Sequence, residues 1–262
     1  MKSVVITGSS KGLGLAMGMF FLRNGCAVTF SGRRGDLGPN ILDWLSKYDG
    51  KYQYVSCDVR NNRELAELFD LGAKRFGGVD IFINNAGVNT TFDYVYKTDP
   101  LQIEKVIETN LMGMINGTRI ASKKMIEQGY GYIYNMEGLG SNGMIQEKTI
   151  IYGTTKSALT YFTKGVAKEL KKTNVKVGRL SPGMMKTDFI LKSPDLGKNE
   201  ALDSKQFTYF FNILGDHPFV VAEYLVKKML KNKKNDAHIQ WLTPAKITKR
   251  FLISPFYQRN LI

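Results

Sequence analysis

The sequence predicts an α/β protein in which one doubly wound parallel sheet forms a single domain. Short runs of β-branched residues alternate along the chain with longer segments of helical period, as expected for parallel strands that are joined by crossover helices. The 262 residues are 43% hydrophobic and 23% charged. This composition supports one sizeable core and excludes wholesale disorder, a collagenous fibre and a bundle of membrane spans.

Strands and helices are expected to alternate from the amino terminus to about residue 245, which is the expected end of the domain. We expect strands near residues 3–7, 26–31, 52–57, 79–83, 131–136, 174–180 and 237–242. We expect helices near residues 12–24, 36–48, 61–76, 99–128, 151–171 and 218–230. The helix near 99–128 should begin at Asp99 and Pro100, because an acceptor side chain followed by proline suits a first helical turn.

Two segments depart from this alternation. Residues 187–215 are first irregular, with the run SPDLG at 193–197, and then strongly aromatic. Because they follow the sixth predicted strand, they are expected to form a flap over the crevice of the sheet. Residues 246–262 mix cations with large apolar groups and are expected to form a separate basic and apolar tail.

The first predicted strand runs directly into a glycine-rich turn. Residues 4–6 read VVI, and residues 7–14 read TGSSKGLG where a helix should begin. Glycines at such a turn let the backbone approach a pyrophosphate, whose charge then lies against the helix N-terminus. A lone glycine-rich turn can also be an ordinary turn, so the prediction of a Rossmann dinucleotide site depends on the context below.

Cations follow the second predicted strand. Arg33 and Arg34 stand where an NAD enzyme would carry an acidic residue for the ribose hydroxyls, and Lys11 lies in the glycine-rich turn. These three cations could surround a 2′-phosphate, which arginine binds through paired N–H groups. The alternative is that both arginines are solvated turn residues. We expect NADP(H) rather than NAD(H) as the cofactor.

Tyr152 and Lys156 are four residues apart on a predicted helix, so they share one face. A neighbouring cation stabilises the phenolate and lowers the pKa of a tyrosine, which makes it a better acid-base catalyst. Such a pair can donate a proton to a carbonyl while a hydride arrives from a nicotinamide. The same spacing is common on surface helices, and it indicates chemistry here only because a nucleotide site is predicted upstream.

Four motifs together resemble the short-chain dehydrogenase/reductase family. They are TGSSKGLG at 7–14, NNAG at 84–87, YGTTK at 152–156, and SPG at 181–183 with Thr187. They occur in the family's order over residues 3 to about 245. The resemblance implies that Tyr152 is the general acid, that Lys156 is its electrostatic partner and binds the ribose, and that Asn110 holds a water in the proton relay.

The resemblance also implies which residues bind the cofactor. Asp58 would contact the adenine, Asn84, Ala86 and Gly87 would shape the floor beneath the cofactor, and Thr187 would hold the nicotinamide carboxamide. The full expected set is Thr7, Gly8, Ser10, Lys11, Gly12, Leu13, Gly14, Arg33, Arg34, Asp58, Val59, Asn84, Ala86, Gly87, Tyr152, Lys156, Pro182, Gly183 and Thr187.

One family position differs. Ordinary relatives carry a serine three residues after the asparagine of the fifth strand, where its hydroxyl binds the substrate carbonyl. Here residues 135–141 read NMEGLGS, so Gly138 stands in that place. We expect Ser141 to reach in as the fourth catalytic residue, and the alternative is that it only caps the turn.

The segments at 135–141, 152–156, 180–184 and 210–226 resemble the chlorophyll b reductase branch of the family, which reduces a formyl group on a tetrapyrrole with NADPH. We therefore expect an NADPH-dependent reductase for an aldehyde or ketone on a bulky apolar substrate. The alternatives are a 3-oxoacyl-carrier-protein reductase, a steroid-type enzyme and a non-catalytic NADPH sensor. A mobile apolar lid is expected from Met184, Met185, Phe189, Ile190, Phe207, Phe210 and Phe211, although about half of these could be plain core residues.

The net charge of +14 is concentrated near the carboxyl end. Residues 227–259 hold nine Lys and Arg against Asp236 alone, and an anionic membrane surface suits the mixture of cations and apolar groups that follows. The alternatives are that the charge only serves solubility, or that the tail's apolar groups, Phe251, Leu252, Ile253, Phe256 and Tyr257, pack against another subunit of a homodimer or homotetramer. No nucleic-acid partner is expected, because no such motif accompanies the charge.

Cysteine and histidine usage suggests a reduced compartment and no metal. Cys26 and Cys57 have no partner at CxxC spacing, and only two histidines are present. The first strand follows the amino terminus too closely for a secretion signal, so a cytoplasmic location is expected, with a peripheral membrane contact as the further expectation from the tail.

Overall fold

The fold is known from a computed structural model, which describes residues 1–193, 200–256 and 259–262. One parallel sheet of seven strands has the order β3-β2-β1-β4-β5-β6-β7. The strands are β1 Ser3–Ile6, β2 Ala27–Gly32, β3 Tyr52–Ser56, β4 Ile81–Asn84, β5 Gly131–Met136, β6 Val175–Ser181 and β7 Ala237–Gln240. The predicted doubly wound sheet is confirmed, and the order reverses between β1 and β4, where such sheets bind ligands.

Ten α-helices accompany these strands in the described residues. They are α1 Gly12–Arg23, α2 Pro39–Leu45, α3 Asn62–Phe76, α4 Pro100–Val106, α5 Gly113–Gln128, α6 Ile150–Glu169, α7 Asp188–Leu191, α8 Lys205–Leu214, α9 Pro218–Lys231 and α10 Pro244–Ile253. The long helix expected near 99–128 begins as predicted, because the Asp99 side chain accepts from the Leu101 N–H at 2.9 Å. It is divided, however, by a π-helix at Ile107–Met112.

The core lies on both faces of the sheet. Val4 and Ile6 of β1 pack in the layer that contains α1 and α9, whereas Val5 packs in the layer that contains α3 and α5. This alternation follows from the two-residue period of a strand. Because helices cover both faces of the sheet, the central strands carry continuous apolar runs such as VVI at 4–6 and IFI at 81–83.

Three helices, α7, α8 and α10, were not expected from the sequence. α8 begins where Ser204 accepts from the Phe207 N–H, and α10 begins where Thr243 accepts from the Lys246 N–H. The boundary predicted between the domain and a tail at 246 falls inside α10, which spans Pro244–Ile253. Residues 194–199, which include most of the SPDLG run, lie outside the described residues, as do 257–258 with the predicted Tyr257.

A buried carboxylate ties the carboxyl-terminal segment to the rest of the domain. Asp216 is only 5% exposed, and it accepts from Trp241 Nε1 at 2.7 Å, Arg250 at 2.7 Å and Arg259 at 2.9 Å. Two of the cations expected to face a membrane therefore point inward. The segment is part of the domain, not an appendage.

Candidate active site

The carboxyl ends of the central strands open into a cavity of about 1570 Å³. Its wall is formed by the glycine-rich turn after β1, the loop after β4, the start of α6, and residues of α8 and α10. Predicted cofactor residues that line it are Gly8, Ser10, Lys11, Gly12, Leu13, Gly14, Arg33, Asp58, Val59, Ala86, Gly87, Tyr152, Lys156, Pro182, Gly183 and Thr187.

The glycine-rich turn is shaped so that only glycine fits at two of its positions. A Cβ on Gly8, whose φ is +61°, would lie 2.7 Å from the Ala86 Cα, and a Cβ on Gly14 would lie 2.5 Å from Asn85 Nδ2. These two glycines therefore let the turn at the start of α1 pack directly against the loop after β4. Free N–H groups at a helix start form a cradle that fits a pyrophosphate.

Thr7 and Asn84 are buried and are not among the residues that line the cavity, and their part in cofactor binding stays a prediction. The Thr7 hydroxyl accepts from the N–H groups of Asn85 and Ala86 at 3.0 and 3.1 Å, and the Asn84 amide donates to Asn135 at 2.9 Å. Their role is to hold the loop after β4. Asn85, which was not predicted, does line the cavity and donates to the Thr7 carbonyl at 3.0 Å.

The three cations expected at a 2′-phosphate are arranged unequally. Arg33 and Lys11 line the cavity, and Lys11 also pairs with Asp188 of α7 at 3.3 Å. Arg34 is exposed and lies outside the described lining of the cavity, while its carbonyl accepts from the Tyr54 hydroxyl at 2.8 Å. The structure thus places two of the three cations at the cavity.

Asp58 lies on the same wall, where its carboxylate is held in the charged state. Arg60 donates to both of its oxygens, at 2.7 to 3.1 Å. These hydrogen bonds hold the pKa of Asp58 below its usual range. Asp58 is therefore an acceptor at neutral pH, as a contact with an adenine amino group would need.

Tyr152 and Lys156 both line the cavity from α6, as their spacing predicts. The Lys156 ammonium donates to the Met136 carbonyl at 2.9 Å and lies 5.7 Å from the centre of the Tyr152 ring. Burial lowers the pKa of Lys156 to about 8, against the attraction of the Glu137 carboxylate. The expected lowering of the Tyr152 pKa is wrong for this arrangement, because burial raises it.

Asn110 lies in the π-helix between α4 and α5, behind the cavity. Its side chain exchanges two hydrogen bonds with the Val88 backbone, both at 2.8 Å, and is fully buried. Single π turns inside helices frequently occur at functional sites. The observed bonds position the loop after Gly87, and a part for Asn110 in a proton relay stays a prediction.

Gly138 leaves room for the hydroxyl group of Tyr152. A Cβ at this position would lie 2.3 Å from the Tyr152 hydroxyl oxygen, so a serine here would displace Tyr152. The Ser141 hydroxyl accepts from the Gly138 N–H and donates to the Lys156 carbonyl, each at 3.2 Å. Ser141 therefore caps the turn, which was the alternative, and its role toward a substrate carbonyl stays a prediction.

One wall of the cavity, formed by the segment after β6 with α7, α8 and α10, is rich in apolar side chains. Phe189 of α7 covers Tyr152, with ring centres 5.5 Å apart, and Ile247 and Phe251 of α10 add an unpredicted wall. The predicted lid residues that line the cavity are Met184, Met185, Phe189, Ile190, Phe207 and Phe210. Phe211 is the exception, because it is fully buried in the core. A mobile lid stays a prediction.

Glu137 is a charged residue of the cavity that sequence reasoning missed. It lines the wall but is only 5% exposed. Its partners include His238, whose Nε2 lies 2.9 Å away, and Ser181. The signal in the sequence was an acidic residue directly after the apolar fifth strand, where a free carboxylate would be costly.

The fold and this site define a class of protein. A sequence model described as short chain dehydrogenase matches residues 2–195, and the chain belongs to that family. Among curated proteins, it is 33% identical over 264 residues to the probable chlorophyll(ide) b reductase of Arabidopsis thaliana, which is described as chloroplastic, across 94% of this chain and 51% of that protein.

Two further comparisons agree with this assignment. An uncharacterised oxidoreductase of Staphylococcus aureus is 34% identical over 187 residues, across 71% of this chain and 79% of that protein. A serine dehydrogenase in its closed form with NADP+ has a TM-score of 0.78 at 22% identity, over 92% of this chain and 95% of that chain. The latter likeness shows the fold alone. The chain spans about half the length of the Arabidopsis relative.

Proposed function

We propose that this oxidoreductase uses NADPH to reduce an aldehyde or ketone on a bulky apolar substrate. The observation that carries the proposal is that one cavity joins the glycine cradle, the Tyr152–Lys156 pair and an apolar wall. When bound, NADPH supplies the hydride. The chain's own residues bind and orient both partners, exclude water and provide the proton.

Each part of the cavity has a defined task in this proposal. The turn at 7–14 binds the pyrophosphate, and Arg33 with Lys11 binds the 2′-phosphate. Tyr152 donates its proton to the substrate oxygen, and Lys156 stabilises the phenolate that is left. The raised pKa of Tyr152 keeps it protonated and able to act as the acid.

A formyl group on a large flat ring is the substrate class that we favour. Aromatic and methionine side chains suit such a ring, and the relative of Arabidopsis thaliana is described as a chlorophyll(ide) b reductase. The intact Tyr152–Lys156 pair argues against a sensor without chemistry. The apolar wall argues against a polar carrier-protein substrate.

A substrate panel tests this proposal. NADPH oxidation is followed with a small polar aldehyde, a steroid ketone and a formyl tetrapyrrole, each at saturating NADPH. We expect the highest kcat/KM for the formyl tetrapyrrole. The highest value for the small polar aldehyde would contradict the role of the apolar wall, and no turnover of any of the three would contradict the activity.

We also propose two contacts beyond the substrate. Exposed apolar side chains on α4, the π-helix and α6 suit a homo-oligomer: Leu101, Ile107, Met112, Ile150 and Tyr161. Leu252 and Phe256, which are 70% and 90% exposed, suit a peripheral contact with an anionic membrane. No helix in the described parts of the chain is long and apolar enough to cross a membrane.

The compartment remains a proposal as well. Cys26 and Cys57 are both buried free thiols, which is compatible with the reduced cytoplasm that we propose. The relative of Arabidopsis thaliana is described as chloroplastic.

A further inference from the structure

The Glu137 carboxylate is held by four side chains in the cavity wall. Thr160 of α6 donates to it at 2.9 Å, and Ser181 of β6 donates to it as well. Arg179 lies 3.4 Å and His238 Nε2 lies 2.9 Å from its oxygens. Burial by itself would raise its pKa, but the bonds from His238 and Ser181 hold that pKa at about 2. Glu137 is therefore a permanent negative charge.

These bonds determine which ring nitrogen of His238 carries hydrogen. Because Ser181 gives its hydrogen to Glu137, its oxygen must accept from His238 Nε2, which lies 2.7 Å away. The neutral ring then has its lone pair on Nδ1. No residue that the structure describes bonds to Nδ1, and the side chain is 36% exposed and lines the cavity.

The charges around His238 favour an anion. Arg179 lies beside it in β6, and Lys156 lies on α6 near Glu137. Glu137, Arg179 and Lys156 line the same cavity as His238. Asp236, Lys228, Lys231 and Lys234 line a second pocket that His238 also borders, and Asp236 lies 3.6 Å from Arg179. The two sets together hold five cations and two carboxylates, and a proton on Nδ1 would make His238 a further cation beside the cavity.

We propose that His238, supported by Glu137, is the anchor for an acidic substituent of the carbonyl substrate. A substrate carboxylate that enters the cavity binds together with one proton from solution, which goes to Nδ1. The product is a carboxylate–imidazolium–carboxylate chain in which Glu137 supports the charge on the ring. The proposal rests on the proposed function, because it assigns a second binding group to the same cavity.

The test compares two aldehydes that differ only in one charge. The probes are 6-formyl-2-naphthoate and its methyl ester, with saturating NADPH at pH 7. We expect the wild-type KM for the acid to be about tenfold below that for the ester, as a charge-assisted pair would produce. His238→Gln should bring the ratio of the two KM values close to one. His217→Asn, which changes the chain's other histidine at the start of α9, should leave the ratio unchanged.

Calorimetry supplies a readout that a merely structural role would not change. The acid is titrated at pH 8 into protein loaded with NADP+, in two buffers of different ionisation enthalpy. We expect an uptake of close to one proton for the wild type and for His217→Asn, and none for His238→Gln. The methyl ester should bind without proton uptake.

The outcomes separate this proposal from the proposed function. Equal KM values for acid and ester in the wild type, or binding of the acid without proton uptake, would overturn the anchor while leaving reductase activity intact. If His217→Asn changes the ratio as much as His238→Gln does, the anchor is also overturned. Proton-coupled binding of the acid with no reduction of either aldehyde would support the anchor and contradict the proposed function.

Discussion

At the scale of single residues, the site depends on how burial changes two side chains on one helix. Lys156 is 3% exposed, and its ammonium donates to the Met136 carbonyl. Tyr152 points its hydroxyl into the space that Gly138 leaves open. The spacing predicted the shared face, but the position of the hydroxyl depends on a glycine in the loop after β5.

Replacing the proton donor should stop turnover without loss of cofactor. We expect Tyr152→Phe to lower kcat at least about 100-fold, because general acid catalysis contributes on that order, while the Kd for NADPH changes less than threefold. Stopped-flow turnover and fluorescence titration measure the two. Tyr161→Phe, on the exposed side of α6, serves as the control. If Tyr152→Phe turns over substrate as fast as the wild type does, the mechanism that we assign to Tyr152 is refuted.

The two arginines after β2 should differ in their effect on cofactor preference. We expect the wild type to bind NADPH at least about tenfold more tightly than NADH, since a charge-assisted contact is worth roughly 1.5–3 kcal/mol. Arg33→Ala should remove most of that preference, because Arg33 lines the cavity. Arg34→Ala, as the matched control, should change it less. Equal affinities of the wild type for the two cofactors would remove the role of these cations.

Lys156 should make stability depend on pH in a defined window. Its pKa is lowered from about 10 in an unfolded chain to about 8 in the folded protein by burial. Between these values the unfolded chain binds more protons, so stability rises with pH. Relative to Lys156→Met, the wild type should gain about 2 kcal/mol of unfolding free energy between pH 7.5 and pH 9.5. Urea unfolding measures this difference, and a constant difference over that range would contradict the assignment.

At the scale of elements, the π-helix and α10 show how tertiary contacts override local pattern. The helical period continues through residues 99–128, but the Gly113 N–H bonds to the Glu108 carbonyl in a π turn. Asn110 lies in this π-helix, and its side chain forms two hydrogen bonds with the Val88 backbone. α10 in turn is held by Asp216, so Ile247 and Phe251, which were expected in a separate basic and apolar tail, form part of the cavity wall.

Removing the charge of Asp216 should destabilise the whole domain. Two arginines, Arg250 and Arg259, would each lose a carboxylate partner in a largely buried setting. We expect Asp216→Asn to cost about 3 kcal/mol of unfolding free energy. Asp70→Asn, which breaks the more exposed pair with Lys124, should cost less than about 1 kcal/mol. Similar losses in both variants would show that the Asp216 cluster contributes no more than a surface pair.

At the scale of the whole molecule, the net charge and the exposed apolar residues at and just after the end of α10 lead to a prediction about lipid surfaces. We expect the chain to sediment with anionic vesicles in a salt-dependent way, because basic residues near such a surface contribute about 1 kcal/mol each. Changing Leu252 and Phe256 to Asp should abolish binding.

These two positions are better targets than deletion of 246–262, which would remove Arg250 and Arg259 from Asp216. Leu71→Asp, on the exposed face of α3, is the matched control and should bind vesicles like the wild type. If wild type does not sediment, or if the double variant still does, the membrane contact is refuted. If the molecular mass of the double variant in solution then differs from that of the wild type, we would infer that Leu252 and Phe256 pack against another subunit.

The sequence by itself determined the sheet, the glycine cradle and the Tyr152–Lys156 pair. Each of these depends on local chemistry: period-two burial, glycine at a positive φ, and a four-residue spacing on a helix. Only the tertiary structure decided that Ser141 caps a turn, that Phe211 belongs to the core and that Arg250 faces Asp216.

The Glu137–His238 pair shows most clearly why the sequence alone could not predict the whole site. These residues are 101 positions apart, and they meet because β6 lies between β5 and β7 in the sheet. Strand order is set by how seven strands and their crossover helices pack together, which no local pattern contains. The sequence therefore determined what chemistry the chain carries near each strand end, and the packing of the sheet decided which of those groups share a cavity.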